Sequence, residues 1–197
     1  ISVSNIIKRV LESNKDNKKI FEKPIDGSVF IHPETRRSLE QKLIIGSEAK
    51  RIKFLDEIPS PYLTGLMDKF FDGKLTPFIE TNRGCPFKCS FCHTGADYFQ
   101  KIHMFSIERI KEEIDYIGFK ASKLGITNLH IADTNFGMYP RDREITKSLL
   151  ESHHKYKWPL SIMSTTGKNN KARVIDITGI LGNMFTVNMS VQSMDQK

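Results

Sequence analysis

All three cysteines of the 197-residue chain lie in one stretch, Cys85-Pro86-Phe87-Lys88-Cys89-Ser90-Phe91-Cys92. Three residues separate the first two cysteines and two separate the last two, with an aromatic residue directly before the last. Three thiolates on one tight loop can bind three irons of a cubane cluster and leave the fourth iron open to a substrate. The spacing therefore predicts a reactive metal site with Cys85, Cys89 and Cys92 as its ligands.

From the residues alone, other interpretations of the cysteines stay open. Cysteine is often a small buried hydrophobic residue, although three scattered cysteines would rarely fall so close together. A disulfide with an odd thiol would gain little from so short a loop. A zinc-binding module could use the cysteines with His93, but the usual two-knuckle spacing is missing. An electron carrier could hold a cluster, or c-type haem on Cys89-Ser90-Phe91-Cys92-His93, which would leave Cys85 without a role.

Composition limits the function classes. With 39% hydrophobic residues, the chain is long enough for one core and an appendage. The net charge is +7, but the basic residues are spread along the chain, so we expect a solvated surface, and the charge gives no evidence for a nucleic-acid partner. No apolar run approaches the ~20 residues of a membrane span, so we expect no membrane partner. Three thiols and no visible export signal favour the cytoplasm.

The first 75 residues lack a strong core pattern. Helical spacing over residues 1–23 is followed by an ambiguous segment at 38–45 and a predicted short helix at Tyr62–Phe71. We expect residues 1–75 to be a mostly helical or irregular extension, a linker that follows an upstream domain. Because the chain begins without methionine and ends after a strand-like run, we expect a fragment of a longer protein.

From residue 76 onward, strand and helix patterns alternate. Predicted strands at 77–81, 128–133, 160–164 and 185–191 are separated by predicted helices that start at Ser106 and cover 141–156 and 172–181. The repeat of about 30 residues matches the step of an eight-unit barrel. We predict an α/β fold with a parallel sheet, a partial (β/α) TIM-like barrel of about four units, in which residues 76–197 form the N-terminal part of the domain.

Polar residues follow each predicted strand, where parallel barrels place their working groups. The second strand ends at Asp133 and Asn135, the third at Ser164, and the fourth carries Ser190 and Gln192. This pattern favours a site for a charged, hydroxyl-rich cofactor.

Three phrases together resemble the radical S-adenosylmethionine (SAM) proteins that follow a cobalamin-binding domain: Ile58-Pro-Ser-Pro-Tyr-Leu-Thr-Gly65, Glu80-Thr-Asn-Arg-Gly-Cys-Pro-Phe87 and Ala132-Asp-Thr-Asn-Phe-Gly137. The resemblance implies a 4Fe–4S cluster on the three cysteines, with the amino and carboxylate groups of SAM on the open iron. One electron then cleaves SAM to methionine and a 5′-deoxyadenosyl radical, which abstracts hydrogen from a substrate. A small-molecule substrate and a reductant such as flavodoxin or ferredoxin are the implied partners, and no catalytic side chain is assigned.

The resemblance also implies cofactor contacts. The Phe91 backbone would lie near the adenine of SAM. Asp133 and Asn135 occupy the place of a Gly-Gly-Glu turn that holds the SAM amino group in the family and that this sequence lacks. Ser164, with Ser190 and Gln192, matches the strand ends that hold the SAM ribose and carboxylate. The Asp-x-His-x-x-Gly signature of a cobalamin domain is absent from this sequence, so cobalamin in the full-length protein rests on the resemblance alone.

Overall fold

A computed structural model of the protein describes residues 2–49, 51–167 and 169–188. The chain divides into two compact units between residues 52 and 53. The division comes earlier than the expected boundary after residue 75, because Leu55 and Tyr62 are buried in the hydrophobic core of the second unit. Residues 53–75 therefore pack as part of the α/β unit rather than as a linker.

The first unit combines two helices with a β-ribbon. Asp16 caps the second helix, since its carboxylate accepts a hydrogen bond from the Lys18 amide at 2.9 Å. The ribbon is antiparallel, with Val29 opposite Ile45; sequence periodicity did not predict it, because each strand is only three residues long. The elements are α1 (Ser2–Glu12), α2 (Asn17–Phe21), β1 (Val29–Ile31) and β2 (Leu43–Ile45).

The second unit is built on a parallel sheet with helical crossovers. Its elements are β3 (Phe78–Ile79), β4 (Asn82–Arg83), β5 (His103–Met104), α3 (Ile107–Lys123), β6 (Asn128–Phe136), α4 (Asp142–Tyr156), β7 (Ser161–Thr166), α5 (Lys171–Leu181) and β8 (Phe185–Asn188). The sheet order is β3-β6-β7-β8, and all three pairings are parallel. Four parallel strands joined through helices confirm the predicted α/β class, and the partial barrel stays a prediction.

Local sequence explains where the crossover helices lie. The Ser106 hydroxyl accepts a hydrogen bond from the Arg109 amide at 3.2 Å, which begins α3 at the predicted residue. The apolar stripe of α3 buries Ile110, Ile114 and Ile117 completely or nearly so. Full burial of such a side chain contributes roughly 1.5–3 kcal/mol. The amphipathic pattern therefore predicted α3 well, because packing and propensity agree there.

The segment at Tyr62–Phe71 is not the predicted α-helix. It forms turns that end in a single 3-10 helix at Asp68–Phe70. Gly65, with a φ of +74°, interrupts the right-handed conformation that an α-helix needs. Apolar residues of this segment nevertheless contribute to the hydrophobic core, because Tyr62 is buried there and Met67 packs against it.

The two faces of the sheet differ. Leu129, Ile131 and Ile162 point to the covered face and join the buried core with the helices. Their neighbours His130 and Met163 lie on the opposite face and are exposed. Successive residues of a strand alternate between faces, so the alternation identifies one face as the hydrophobic core and the other as open. In the parts of the chain that the structure describes, none of the helices is long and apolar enough to cross a bilayer.

Candidate metal centre

The cysteine loop, residues 84–102, connects β4 to β5, which pair with each other as a separate antiparallel ribbon. Gly84 begins the loop with a φ of +114°, and a Cβ there would lie 2.7 Å from the Phe99 carbonyl oxygen. The Cys85 amide donates a hydrogen bond to that same oxygen at 2.8 Å. A glycine is therefore required at position 84, because only a residue without Cβ allows this close approach.

Two successive turns shape the middle of the cysteine loop. The Cys92 amide donates to the Cys89 carbonyl oxygen at 3.0 Å, and the Gly95 amide donates to the Cys92 carbonyl oxygen at 2.9 Å. A Cβ on Gly95 would lie 2.4 Å from the Cys89 carbonyl oxygen. Phe91 stands at the tip of the first turn, with its side chain 69% exposed. The turns thus place Cys89 and Cys92 on one small, closely packed segment.

Asp133 anchors the residues that lead into the cysteine loop. Its carboxylate accepts hydrogen bonds from the Thr81 amide and the Asn82 side-chain amide, each at 2.7 Å, and from the Thr81 hydroxyl. Asp133 is only 2% exposed, and burial raises the pKa of its carboxyl to about 7, although the hydrogen bonds from Thr81 act in the opposite direction. Both carboxylate oxygens are therefore bound within the protein.

The next two residues of β6 contact the loop itself. The Thr134 hydroxyl donates to the Gly84 carbonyl oxygen at 2.9 Å, and the Asn135 amide nitrogen lies 3.3 Å from the Cys85 sulfur. The Asn135 carbonyl oxygen is buried and has no hydrogen-bond partner among the described residues. We call Asp133-Thr134-Asn135 the β6 clamp. Its three successive residues bind the entry to the cysteine loop, first Thr81 and Asn82, then Gly84 and then Cys85.

Among the predicted site residues, the structure brings Cys85 and Asn135 into direct contact. Asp133 lies two residues before Asn135 in β6, where it binds Thr81 and Asn82. Ser164 is 1% exposed and shares the covered face of the sheet with Ile162, and its hydroxyl donates to the Thr165 carbonyl oxygen at 3.4 Å. Ser190 and Gln192 fall outside the described residues. Their roles, with those of Phe91 and Ser164, stay predictions.

The three cysteines differ in exposure, with Cys85 buried and the other two half-buried. Within the described ranges, no three His, Cys, Asp or Glu side chains converge as the ligands of one metal ion do. A closed zinc site needs four ligands around one ion. A cubane instead takes each thiolate at a different iron, so its ligands need not meet at one point. The donor set of three thiols on one loop therefore fits an iron–sulfur cluster better than zinc.

Two neighbours of Cys92 complete the loop. The His93 ring packs edge-on against Phe99, with the ring centres 5.1 Å apart, so this exposed side chain has a packing partner inside the loop. The Thr94 hydroxyl oxygen lies 3.1 Å from the Cys92 sulfur. The Asn135 amide and the Thr94 hydroxyl thus lie beside the sulfurs of Cys85 and Cys92. Both groups can donate a hydrogen bond to a thiolate, which is a stronger acceptor than a thiol.

Sequence reasoning missed four residues of this site: Thr81, Asn82, Thr94 and Thr134. Each has a short polar side chain and is close to a predicted residue. Thr81 and Asn82 bind Asp133, Thr94 lies near the Cys92 sulfur, and Thr134 stands between Asp133 and Asn135 in the sequence. The strand-end rule selected Asp133 and Asn135 but passed over Thr134 between them, and no pattern showed that Asp133 would pair with Thr81. Proximity to the cysteines along the sequence is the only signal that could have found Thr94.

The comparisons with known proteins point the same way. Residues 79–197 match the radical SAM superfamily. The chain is 36% identical over 141 residues to the cobalamin-dependent radical SAM methyltransferase TokK of Streptomyces tokunonensis, covering 68% of this chain and 20% of that protein. It is 34% identical over 139 residues, with the same shares covered, to the 2-(S-pantetheinyl)-carbapenam-3-carboxylate methyltransferase of Streptantibioticus cattleyicolor. The chain thus spans only 20% of the length of these curated relatives.

A solved structure shares the fold. The cobalamin-dependent S-adenosylmethionine radical enzyme OxsB, with aqua-cobalamin bound, matches with a TM-score of 0.55 and 18% identity, over 98% of this chain and 27% of that one. Identity at this level supports a common architecture and does not transfer ligands or substrates.

Proposed function

The chain belongs to the radical SAM superfamily, and on that premise we propose that Cys85, Cys89 and Cys92 hold a 4Fe–4S cluster whose open iron binds SAM. When bound, such a cluster would pass one electron from a reductant to SAM, which would split into methionine and a 5′-deoxyadenosyl radical. The radical then abstracts hydrogen from a small-molecule substrate. The observation that carries this proposal is the set of three cysteines on one loop, the first of them buried against the β6 clamp.

The fold contributes a prepared loop. Gly84 and Gly95 allow the close backbone contacts that hold the cysteines, and Thr134 ties the loop entry to β6. A site whose ligands are already ordered loses less conformational entropy when the cluster is inserted. Burial of Cys85 also excludes water from one side of the centre, which strengthens electrostatic interactions there.

Among the residues proposed to contact SAM, the structure favours Asn135. Its buried carbonyl oxygen has no donor within the described part of the chain, and a buried acceptor is normally satisfied. The ammonium group of SAM carries such donors. Asp133 is less suited to this role, because Thr81 and Asn82 already occupy its oxygens. The Phe91 backbone and Ser164, Ser190 and Gln192 remain the proposed contacts to the rest of SAM.

We extend the proposal to methyl transfer with cobalamin in the full-length protein. The names of the two curated relatives support this extension, since one is a cobalamin-dependent radical SAM methyltransferase and the other a methyltransferase. The extension rests on likeness alone, because the alignments cover 20% of each relative. We also propose the cytoplasm as the location, where thiols stay reduced and a flavodoxin or ferredoxin can donate the electron.

The test is anaerobic reconstitution of the full-length protein with iron and sulfide. We expect about four irons and four sulfides per chain and a broad visible absorption. After reduction, SAM should change the electron paramagnetic resonance (EPR) spectrum of the cluster, and 5′-deoxyadenosine should form. Sharp haem bands, or zinc without colour, would overturn the proposal. For the cobalamin extension, the methyl group of labelled SAM should reach product only when cobalamin is supplied.

A further inference from the structure

We propose that Asn135 sets the reduction potential of the cluster by donating a hydrogen bond to the sulfur of Cys85. This inference rests on the proposed function, because it concerns a thiolate that ligates the cluster. The Asn135 amide nitrogen lies 3.3 Å from the Cys85 sulfur. The two residues are 3% and 5% exposed, so water hardly competes with the amide for the sulfur.

A chain of hydrogen bonds determines which end of the Asn135 amide faces the sulfur. The Thr134 hydroxyl uses its proton on the Gly84 carbonyl oxygen at 2.9 Å. Its oxygen is then left to accept from the Asn135 amide nitrogen, at 3.1 Å. A rotated amide would bring its carbonyl oxygen against two acceptors, the Thr134 oxygen and the Cys85 sulfur. The nitrogen is therefore the group that faces Cys85.

A donor at this position favours the reduced cluster. Reduction adds one electron from the reductant, and no covalent bond forms or breaks. The added negative charge is shared by the cysteine sulfurs, so a hydrogen bond to a sulfur strengthens on reduction. Hydrogen bonds to sulfur are one of the known determinants of cluster potentials. Asn135 acts through Cys85 and is therefore a positioning residue that raises the potential.

Thr94 provides an internal comparison. Its hydroxyl oxygen lies 3.1 Å from the Cys92 sulfur, but both residues are partly exposed. Water can replace the hydroxyl as a donor at an exposed sulfur, whereas nothing replaces the amide at the buried one. We therefore expect the Asn135 bond to affect the potential more than the Thr94 bond does.

The test is a potentiometric titration of the reconstituted full-length protein, without SAM, followed by the EPR signal of the reduced cluster. Asn135→Leu keeps the size of the side chain and removes the donor. We expect the equilibrium constant for one-electron reduction to fall about tenfold, a shift of ~59 mV to more negative potential. Thr94→Val should shift it in the same direction by less. Thr146→Val is the matched control, because it removes a buried hydroxyl that donates within α4 to the Asp142 carbonyl oxygen. The cluster of this variant should have the reduction potential of the wild type.

The outcomes separate this inference from the proposed function. A wild-type protein without a cluster overturns both. A full cluster with an unchanged potential in Asn135→Leu overturns this inference alone. If Asn135→Leu loses its cluster, Asn135→Ala decides, because it removes the same donor without placing a large apolar side chain beside Cys85. A potential shifted downward in Asn135→Ala supports the inference, and an unchanged one rejects it.

Discussion

The Thr81 amide and hydroxyl both donate to the carboxylate of Asp133, a residue 52 positions later in the chain. This pairing joins the end of the first strand of the sheet to the second strand, just before the cysteine loop begins. The loop is therefore held by the sheet as well as by its own turns.

Asp133→Ala should lower the amount of cluster that the full-length protein retains. The substitution leaves donors of Thr81 and Asn82 buried without an acceptor, at a cost of roughly 1–3 kcal/mol for each unsatisfied group. Iron and sulfide per chain after reconstitution measure the effect. Asp176→Ala is the control, because its exposed ion pair with Arg143 contributes little. A full cluster combined with weak SAM binding in Asp133→Ala would instead support the direct SAM contact that the sequence predicts.

The stability of the protein should depend on pH through Asp133. Burial raises the pKa of this carboxyl from 3.8 to about 7. A carboxyl with a higher pKa in the folded state stabilises that state fully only below its unfolded pKa. This stabilisation should decrease as pH rises from 3.8 to about 7, by up to ~1.4 kcal/mol per pH unit.

Thermal unfolding of the apoprotein checks this dependence. Between pH 4 and pH 7, the unfolding midpoint of the wild type should fall relative to that of Asp133→Asn, which cannot titrate. Groups elsewhere contribute equally to both proteins, so the difference between the two curves isolates Asp133. Parallel curves would show that the carboxyl keeps its ordinary pKa when buried.

Replacement of any one of the three cysteines by alanine should abolish cluster retention. Three ligands are the minimum for a cubane with one open iron, so none can be spared. Iron and sulfide analysis of the three single variants gives the result. His93→Ala is the matched control in the same loop and should keep its iron content and absorption. A coloured Cys85→Ala protein, or a colourless His93→Ala protein, would favour haem attachment through Cys89, Cys92 and His93.

Gly95→Ala should impair cluster loading while the sheet remains folded. A Cβ at this position would lie 2.4 Å from the Cys89 carbonyl oxygen, so the turn that carries Cys89 and Cys92 must open. Gly179→Ala is the control, because nothing lies within 4 Å of a Cβ there. In the interior of α5, that change should stabilise the protein by about 0.5–1 kcal/mol. Circular dichroism and iron content together distinguish a loop effect from unfolding, and normal loading of Gly95→Ala would mean that the turn adapts.

The sequence predicted those parts of the fold in which local pattern and tertiary packing agree. The stripe of α3 and its Ser106 cap are examples, because amphipathic spacing and capping are properties of neighbouring residues. The segment at Tyr62–Phe71 failed this rule. Its apolar spacing was helical, but Gly65 adopts a left-handed conformation that ends any α-helix there. A single glycine is tolerated in a helical pattern, so the sequence did not show which conformation Gly65 adopts.

The candidate site was predictable where its chemistry lies within one loop. The spacing of the three cysteines alone predicted them as metal ligands, and this assignment stays a prediction. The contacts of Asp133 were not predictable, since a strand-end carboxylate can face either a cofactor or its own protein. Only the position of Thr81 beside it in three dimensions distinguishes the two. Pairings between residues more than fifty positions apart leave no periodic trace in a single sequence.

The β6 clamp also implies an order of assembly. Asn135 reaches Cys85 across 50 residues of chain, and those residues include all of α3. A growing chain that has produced the cysteines but not yet β6 therefore has the ligands without the support that positions them. We expect cluster insertion to follow the docking of β6, so that a chain stopped before residue 128 takes up iron poorly and one extended past the clamp takes it up well. Maturation of the metal centre would then report on the folding of the first crossover unit.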